Sequence, residues 1–275
     1  VAGKHSKLGR KIKILKIDSS ANRDSLDDII PAELLLTVSL NGRSVSTLSC
    51  SPENLIELAV GFLLNNGYVQ KYSDINLLRF CGEDMNRIIG SKELSIKIEV
   101  TAKNVNINTD ELNIARFISS GCGSIDDLIL RTKLIKIKSK IRVRPDIILK
   151  LNLETNKSQK LKKEFGGLHS AALFDVAGNL LKIVEDLGRH NCIDKIAGFL
   201  QLKKLSSDDK IIFTTGRLSI DLIYKIARMY VPVLVTNSSI THSAATLAKK
   251  IGLTTVGYAR GGRFNIYANP RRILT

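Results

Sequence analysis

The sequence has no tryptophan and only 5% aromatic residues, so nowhere do basic residues alternate with stacking rings as they do in single-strand nucleic-acid binders. Nor does any apolar run approach the roughly 18 residues of a membrane-spanning helix, which predicts a soluble chain without a membrane partner. Cysteines at 50, 81, 122 and 192 form no CxxC, which excludes the usual zinc ribbons and thioredoxin-like motifs, and no metal site is expected. Unpaired thiols in a chain of this size suit a reducing cytoplasm. The opening VAGKHSKLGRKIKILKID is basic but lacks the apolar stretch and cleavage site of a secretory signal, so residues 1–16 are expected to form a solvated basic tail.

What is abundant is positive charge. Lys and Arg number 42 against 26 Asp and Glu, a formal charge of +16 that attracts polyanions. With nucleic acid disfavoured by the lack of aromatics, a compact phosphate-bearing ligand fits better. The 275 residues exceed a usual single core, and two units are expected: a small α+β unit over 17–118 and an α/β unit over 119–275. In the first, ELLLTVSL and RSVSTL flank Asn41-Gly42, a strong hairpin signal. Ser51-Pro52-Glu53 offers an N-cap and a first-turn proline for a helix from about Pro52 to Asn65, and Leu94, Ile96, Ile98 and Val100 alternate as in a half-buried strand. Pro145 to Phe165 reads as a connecting helix. Beyond it, AALFDV and LLKIVE bracket a hairpin, CIDKIAGFL is helical, and IIFTT, VPVLVT and TTVGYA alternate with helices near 222–229 and 244–251, which predicts a mostly parallel sheet.

Ligands of open α/β sheets bind where strands end and loops meet helix N-termini. Three polar loops qualify: Thr214 to Ser219 with Arg217, Thr236 to His242, and Tyr258 to Asn265 with Arg260 and Arg263 around a glycine pair. Arginine suits phosphate because its planar fork donates two parallel hydrogen bonds. His169 and His190 are candidates for hydrogen bonding or proton transfer to a bound ligand. The bland alternative for His190 is a structural bond within its loop, oriented by Glu185 or Asp186. Cys122 lies in Ser119-Ser120-Gly121-Cys122-Gly123-Ser124, before an apparent helix capped by Ser124, where small polar flanks and a helix N-terminus favour an exposed thiolate. Cys50 and Cys81 have no such surroundings and read as structural, while Ile193 and Ile196 turn the helix of Cys192 toward the core.

Taken together, SLNG, SPENLIELAVGFLLNNG, SSGCGS, GGLHSAALFD, VEDLGRHNCIDK, TTGRLSID and LAKKIGLTTVGYARGGRFNIY resemble the formate dehydrogenase accessory protein family, the FdhD sulfurtransferases, from about Pro31 to Ile273. The resemblance implies a cytidine-deaminase-like C-terminal domain. It implies a persulfide sulfur taken from a cysteine desulfurase onto Cys122 and passed to molybdenum bis-(molybdopterin guanine dinucleotide), the sulfurated cofactor then serving formate dehydrogenase. Its cofactor-binding run falls on Tyr258, Ala259, Arg260, Gly261, Gly262 and Arg263, beside which Arg217 and His190 stand as further contacts from the loop reading. GDP-like guanine nucleotides would occupy the same site, and a homodimer is compatible with the sequence. Departures from the family pattern are one cysteine where many members carry a CxxC, Phe165 where a threonine is usual, and Ile240 where a proline is usual. One thiol suffices for a persulfide carrier. The alternative is a chaperone that holds the cofactor without transferring sulfur. Zinc-dependent deamination lacks its H-x-E and P-C-x-x-C ligands.

Overall fold

Alternating apolar residues become strands and those at helical spacing become the helices that cover them, in a computed structural model that describes residues 8–81, 95–105 and 135–274. The first two strands, β1 (Gly9–Ile17) and β2 (Arg23–Pro31), form an antiparallel ribbon in register from Gly9 opposite Pro31 to Ile17 opposite Arg23. Part of the expected tail is therefore a strand. Its lysines alternate with Ile12 and Ile14, and the facing strand supplies acids, as in the Lys11–Asp27 pair at 2.7 Å.

A four-stranded sheet follows, in the order β4-β3-β6-β5, from β3 (Leu34–Leu40), β4 (Arg43–Cys50), β5 (Ile75–Cys81) and β6 (Ser95–Ala102). Asn41 and Gly42, at φ 50° and 81°, make the tight turn between β3 and β4. Leu34, Leu36, Val38, Ile96, Ile98 and Val100 bury one face of this sheet against Leu58, Ala59, Phe62 and Leu63 of α1 (Leu55–Asn65). This helix starts three residues later than the sequence suggested, with Asn54 at the cap position. Ser51 is not the cap because its N–H and hydroxyl are bound to Asp186, at 3.1 and 3.2 Å.

The larger sheet has six strands in the order β12-β11-β10-β9-β7-β8. They are β7 (His169–Phe174), β8 (Leu180–Asp186), β9 (Ile211–Thr214), β10 (Val233–Thr236), β11 (Thr254–Arg260) and β12 (Arg263–Ala268). Its inner strands β7, β9 and β10 read as near-continuous apolar runs because both faces are covered there. Ala171, Leu173, Ile212 and Leu234 point toward α4 (Arg189–Leu202), α5 (Ile220–Arg228) and α6 (His242–Ile251). Ala172, Phe174, Phe213 and Val235 pack with Ile148 and Leu151 of α2 (Pro145–Ser158). The expected single connecting helix is broken, since α3 (Leu161–Phe165) is separate from α2. The sheet is also mixed, not mostly parallel: β9, β10 and β11 run parallel, while β7, β8 and β12 pair antiparallel to their neighbours. Hairpin connections at both ends of the sheet impose this, because a short turn can only reverse a strand. Among the described residues, no helix is long and apolar enough to cross a membrane.

Candidate functional site

The carboxyl ends of β9, β10 and β11 and the amino end of β7 fall on one edge of the six-stranded sheet, because β7 runs antiparallel to β9. The loops of Arg217, Thr236 and Tyr258 thus converge there. Threonine hydroxyls stitch them together. Thr214 Oγ1 donates to the Ser170 carbonyl at 3.2 Å and accepts from Gly216 N–H, and Thr215 Oγ1 accepts from Ser170 N–H at 3.0 Å. Thr236 Oγ1 donates to the Gly216 carbonyl at 2.8 Å and accepts from Ser238 N–H. Ser238 in turn accepts from Tyr258 N–H at 2.9 Å. With these loop groups satisfied by one another, Arg217, Arg260 and Arg263 stand exposed and free to meet a ligand.

The third loop differs from expectation in form. Gly261 and Gly262, at φ 61° and 74°, close a turn from β11 into β12, so no helix N-terminus follows Arg260. Tyr258 is left-handed at φ 53°, a strained conformation for an aromatic residue, at a break in the β11–β12 register. Its ring carries the Arg260 guanidinium 6.0 Å above its centre. Gly257 is required just before it: an added Cβ would lie 2.9 Å from the Tyr267 ring and 3.3 Å from the Ser238 carbonyl.

His190 lies in the first turn of α4, and its partner is neither Glu185 nor Asp186. Its Nε2 is 2.6 Å from Oδ2 of Asp221 in the first turn of α5. Burial pushes the Asp221 carboxyl up, but the hydrogen bond and charge of His190 outweigh this and hold it well below the usual carboxylate range. Glu185 is committed elsewhere, accepting the backbone N–H groups of Lys160, Leu161 and Lys162 at 2.8 to 2.9 Å where α3 begins. Asp186 is buried against Lys195 Nζ at 2.6 Å and also accepts from Asn191 and Gly188. The bonding reach of Glu185 and Asp186 is set by the strand that carries them. His169, half-buried at the start of β7, is held below the ordinary histidine value first by burial and then by Arg189, Lys162 and His190.

Residues 31–274 match the model of the FdhD/NarQ family. The chain belongs to the FdhD/NarQ family. Among its relatives in that family are proteins named sulfur carrier protein FdhD from Staphylococcus aureus strain MRSA252, 32% identical over 248 residues and 88% of each chain, and from Staphylococcus haemolyticus, 31% identical over 250 residues and 90% of each. The fold matches the crystal structure of a protein from Desulfotalea psychrophila assigned as a formate dehydrogenase accessory protein, with a TM-score of 0.76 and 25% identity over 97% of this chain and all of that one.

In this FdhD/NarQ chain the sequence-selected residues divide into three groups. Arg217, His190 and Tyr258 to Arg263 share the edge described above. Cys122, with its SSGCGS loop, lies outside the described residues. Cys50 and Cys192 are fully buried and Cys81 partly so. Asp221 was not among the candidate residues, although it stands inside TTGRLSID. The pairing of Asp221 with His190 joins two helices 31 residues apart, and no local period signals it.

Proposed function

We propose that this chain is a cytoplasmic sulfurtransferase: Cys122 takes a persulfide sulfur from a cysteine desulfurase and passes it to molybdenum bis-(molybdopterin guanine dinucleotide) destined for formate dehydrogenase. The cofactor is cargo, held by its phosphates along Tyr258 to Arg263 with Arg217 and His190 nearby. In loading, the Cys122 thiolate attacks the outer sulfur of the donor persulfide and the donor thiolate leaves. In delivery, the sulfur–sulfur bond breaks with its electron pair on Cys122, and the metal supplies the two electrons that make the delivered atom a sulfido ligand. In this reading residues 119–275 form a cytidine-deaminase-like unit with the reactive loop at its start, and 17–118 a smaller α+β unit. The mixed sheet with helices on both faces supports it.

The observation that carries this reading is the meeting of three exposed arginines on one sheet edge, in a family whose relatives are named sulfur carriers. Incubation with a cysteine desulfurase and cysteine should add ~32 Da, one sulfur atom, to the wild-type chain and nothing to Cys122→Ala. A chain that binds guanine nucleotide but never gains this mass would be a cofactor-holding chaperone instead. Arg260→Ala and Arg263→Ala should each weaken GDP binding by about 1.5 to 3 kcal/mol, and Arg217→Ala less. Lys11→Ala and Lys13→Ala should change little, because exposed charges are screened beyond roughly 8 to 10 Å at cellular salt. Equal losses from both groups would reduce the edge to a diffuse attraction for anions.

A further inference from the structure

We infer that a groove at the end of α4 and α5 remote from the arginine-bearing edge is a docking site for a partner protein, which inserts an acidic segment carrying an apolar side chain. The groove has a volume of about 880 Å³ and lies where the ends of α1, α4 and α5 meet Tyr72 and Ile75 of the four-stranded sheet's unit. Both α4 and α5 start at the edge, where His190 meets Asp221, and α4 runs about 21 Å from there at 1.5 Å for each of its 14 residues. A segment seated in the groove leaves the edge uncovered.

Two strained residues line this groove. Lys204 and Tyr230 are each the first residue past a helix cap, at φ 52° and 58°. Glycine is the usual occupant of such a left-handed position, because it has no Cβ to clash, and α6 ends on Gly252 in the same region, at φ 79°. A large side chain held there stores strain, which persists where the side chain serves a use outside the local fold. Neither side chain is spent inside the protein. Tyr230 is 54% exposed, Lys204 is exposed, and Leu205 beside it is 40% exposed. With Tyr72, Arg228 and Met229 also on the wall, the groove carries the aromatic, arginine and methionine side chains that are enriched where proteins meet.

Charge selects the occupant. Lys71, Lys204 and Arg228 line the groove, and no aspartate or glutamate does. The acids of the flanking elements are turned elsewhere: Asp74 is buried and accepts from Asn104, and Asp194 is buried and accepts from Asn65 and Lys225. The Nε of Arg228 donates to the Leu64 carbonyl at 2.8 Å, which fixes its guanidinium beside the end of α1. Beyond Tyr230 an adjoining groove adds Lys136, Lys138 and Lys140, and its two acids, Asp208 and Asp209, are engaged by Ser206 and Lys210. Carboxylates are therefore attracted on both sides of the Tyr230 ring. A bare phosphate chain would leave Tyr230 and Leu205 without an apolar partner, whereas an acidic segment with an apolar residue meets both the cations and these side chains.

The test follows the amide signals of the isotope-labelled full chain during titration with a short synthetic peptide of glutamates around a leucine and a phenylalanine. Shifts are expected at residues 204–207 and 228–230, which border the groove. Tyr230→Gly and Lys204→Gly should each weaken peptide binding roughly fivefold to tenfold. The denaturation midpoint of both variants should stay the same or rise, because glycine relieves the left-handed strain, so that lost binding is not lost folding. GDP affinity should be equal in the wild type and both variants, which separates this surface from the cargo site. Replacing the leucine and phenylalanine of the peptide by glycine should weaken it further. Absence of shifts at these residues, or a peptide affinity that neither substitution changes, would overturn the proposal. So would tighter binding there of oligothymidylate or of phosphatidylserine vesicles, which would assign the groove to nucleic acid or to a membrane surface.

Discussion

Burial, without any disulfide, silences two of the four cysteines. Burial, reinforced by the charge of Asp186, pushes the Cys50 thiol up to about 12 and the Cys192 thiol higher still, despite the opposing charge of Lys195. Thiolates are the reactive form, so both groups are inert at neutral pH. Brief treatment of the native protein with iodoacetamide at pH 8 should therefore leave Cys50 and Cys192 unmodified, and both should react once the chain is denatured; peptide mass mapping reads the result. Labelling of Cys192 in the native state would mean that its helix opens. That Cys192 faces the core was legible from Ile193 beside it and Ile196 one helical turn along. The thiol of Cys50 was harder to read, because its surroundings include Asp186 and Lys195 from the other sheet's side of the molecule.

Elements meet most closely where α1 crosses α4. A Cβ on Gly61 would overlap the Asp194 carbonyl, and one on Gly198 the Glu57 carbonyl, so each helix presents bare backbone to the other. Neither glycine has a left-handed φ, and in a helix interior each costs about 0.5 to 1 kcal/mol relative to alanine. Close approach outweighs that cost. Gly61→Ala and Gly198→Ala should lower stability by about 1 to 3 kcal/mol or more through overpacking, measured as the denaturation midpoint, although alanine is the better helix former. A neutral or stabilising effect would mean that the two helices stand further apart. Helix propensity alone predicts the opposite sign, which is why this contact was not readable from the sequence.

At the scale of the molecule, a buried polar network ties the four-stranded sheet to the six-stranded one. Lys195, fully buried, donates to Asp186 at 2.6 Å and to Ser51 Oγ at 2.8 Å, while Asn191 donates to the Ser49 carbonyl and to Asp186. Nearby, Asn65 and Lys225 share the carboxylate of Asp194. Removing one member strands a buried charge, so Lys195→Met should cost about 3 to 5 kcal/mol in chemical denaturation, and unchanged stability would show that Asp186 has another counter-ion. The network also holds the strand end and helix start from which Arg189 and His190 reach the edge. By itself the sequence determined the local elements: the Asn41-Gly42 turn, the strands and the helices that pack on them follow from periodicity and turn chemistry, which act within a few residues. It also marked the arginine-bearing loops, because a strand running into a polar glycine loop is a local pattern. Only the tertiary structure decided that β7 and β12 run antiparallel, that His190 pairs with Asp221, and that Ser51 serves Asp186, 135 residues away, instead of capping α1. These are pairings of buried charges and backbone groups between distant segments, fixed by which partners remain when the sheets and helices close around them.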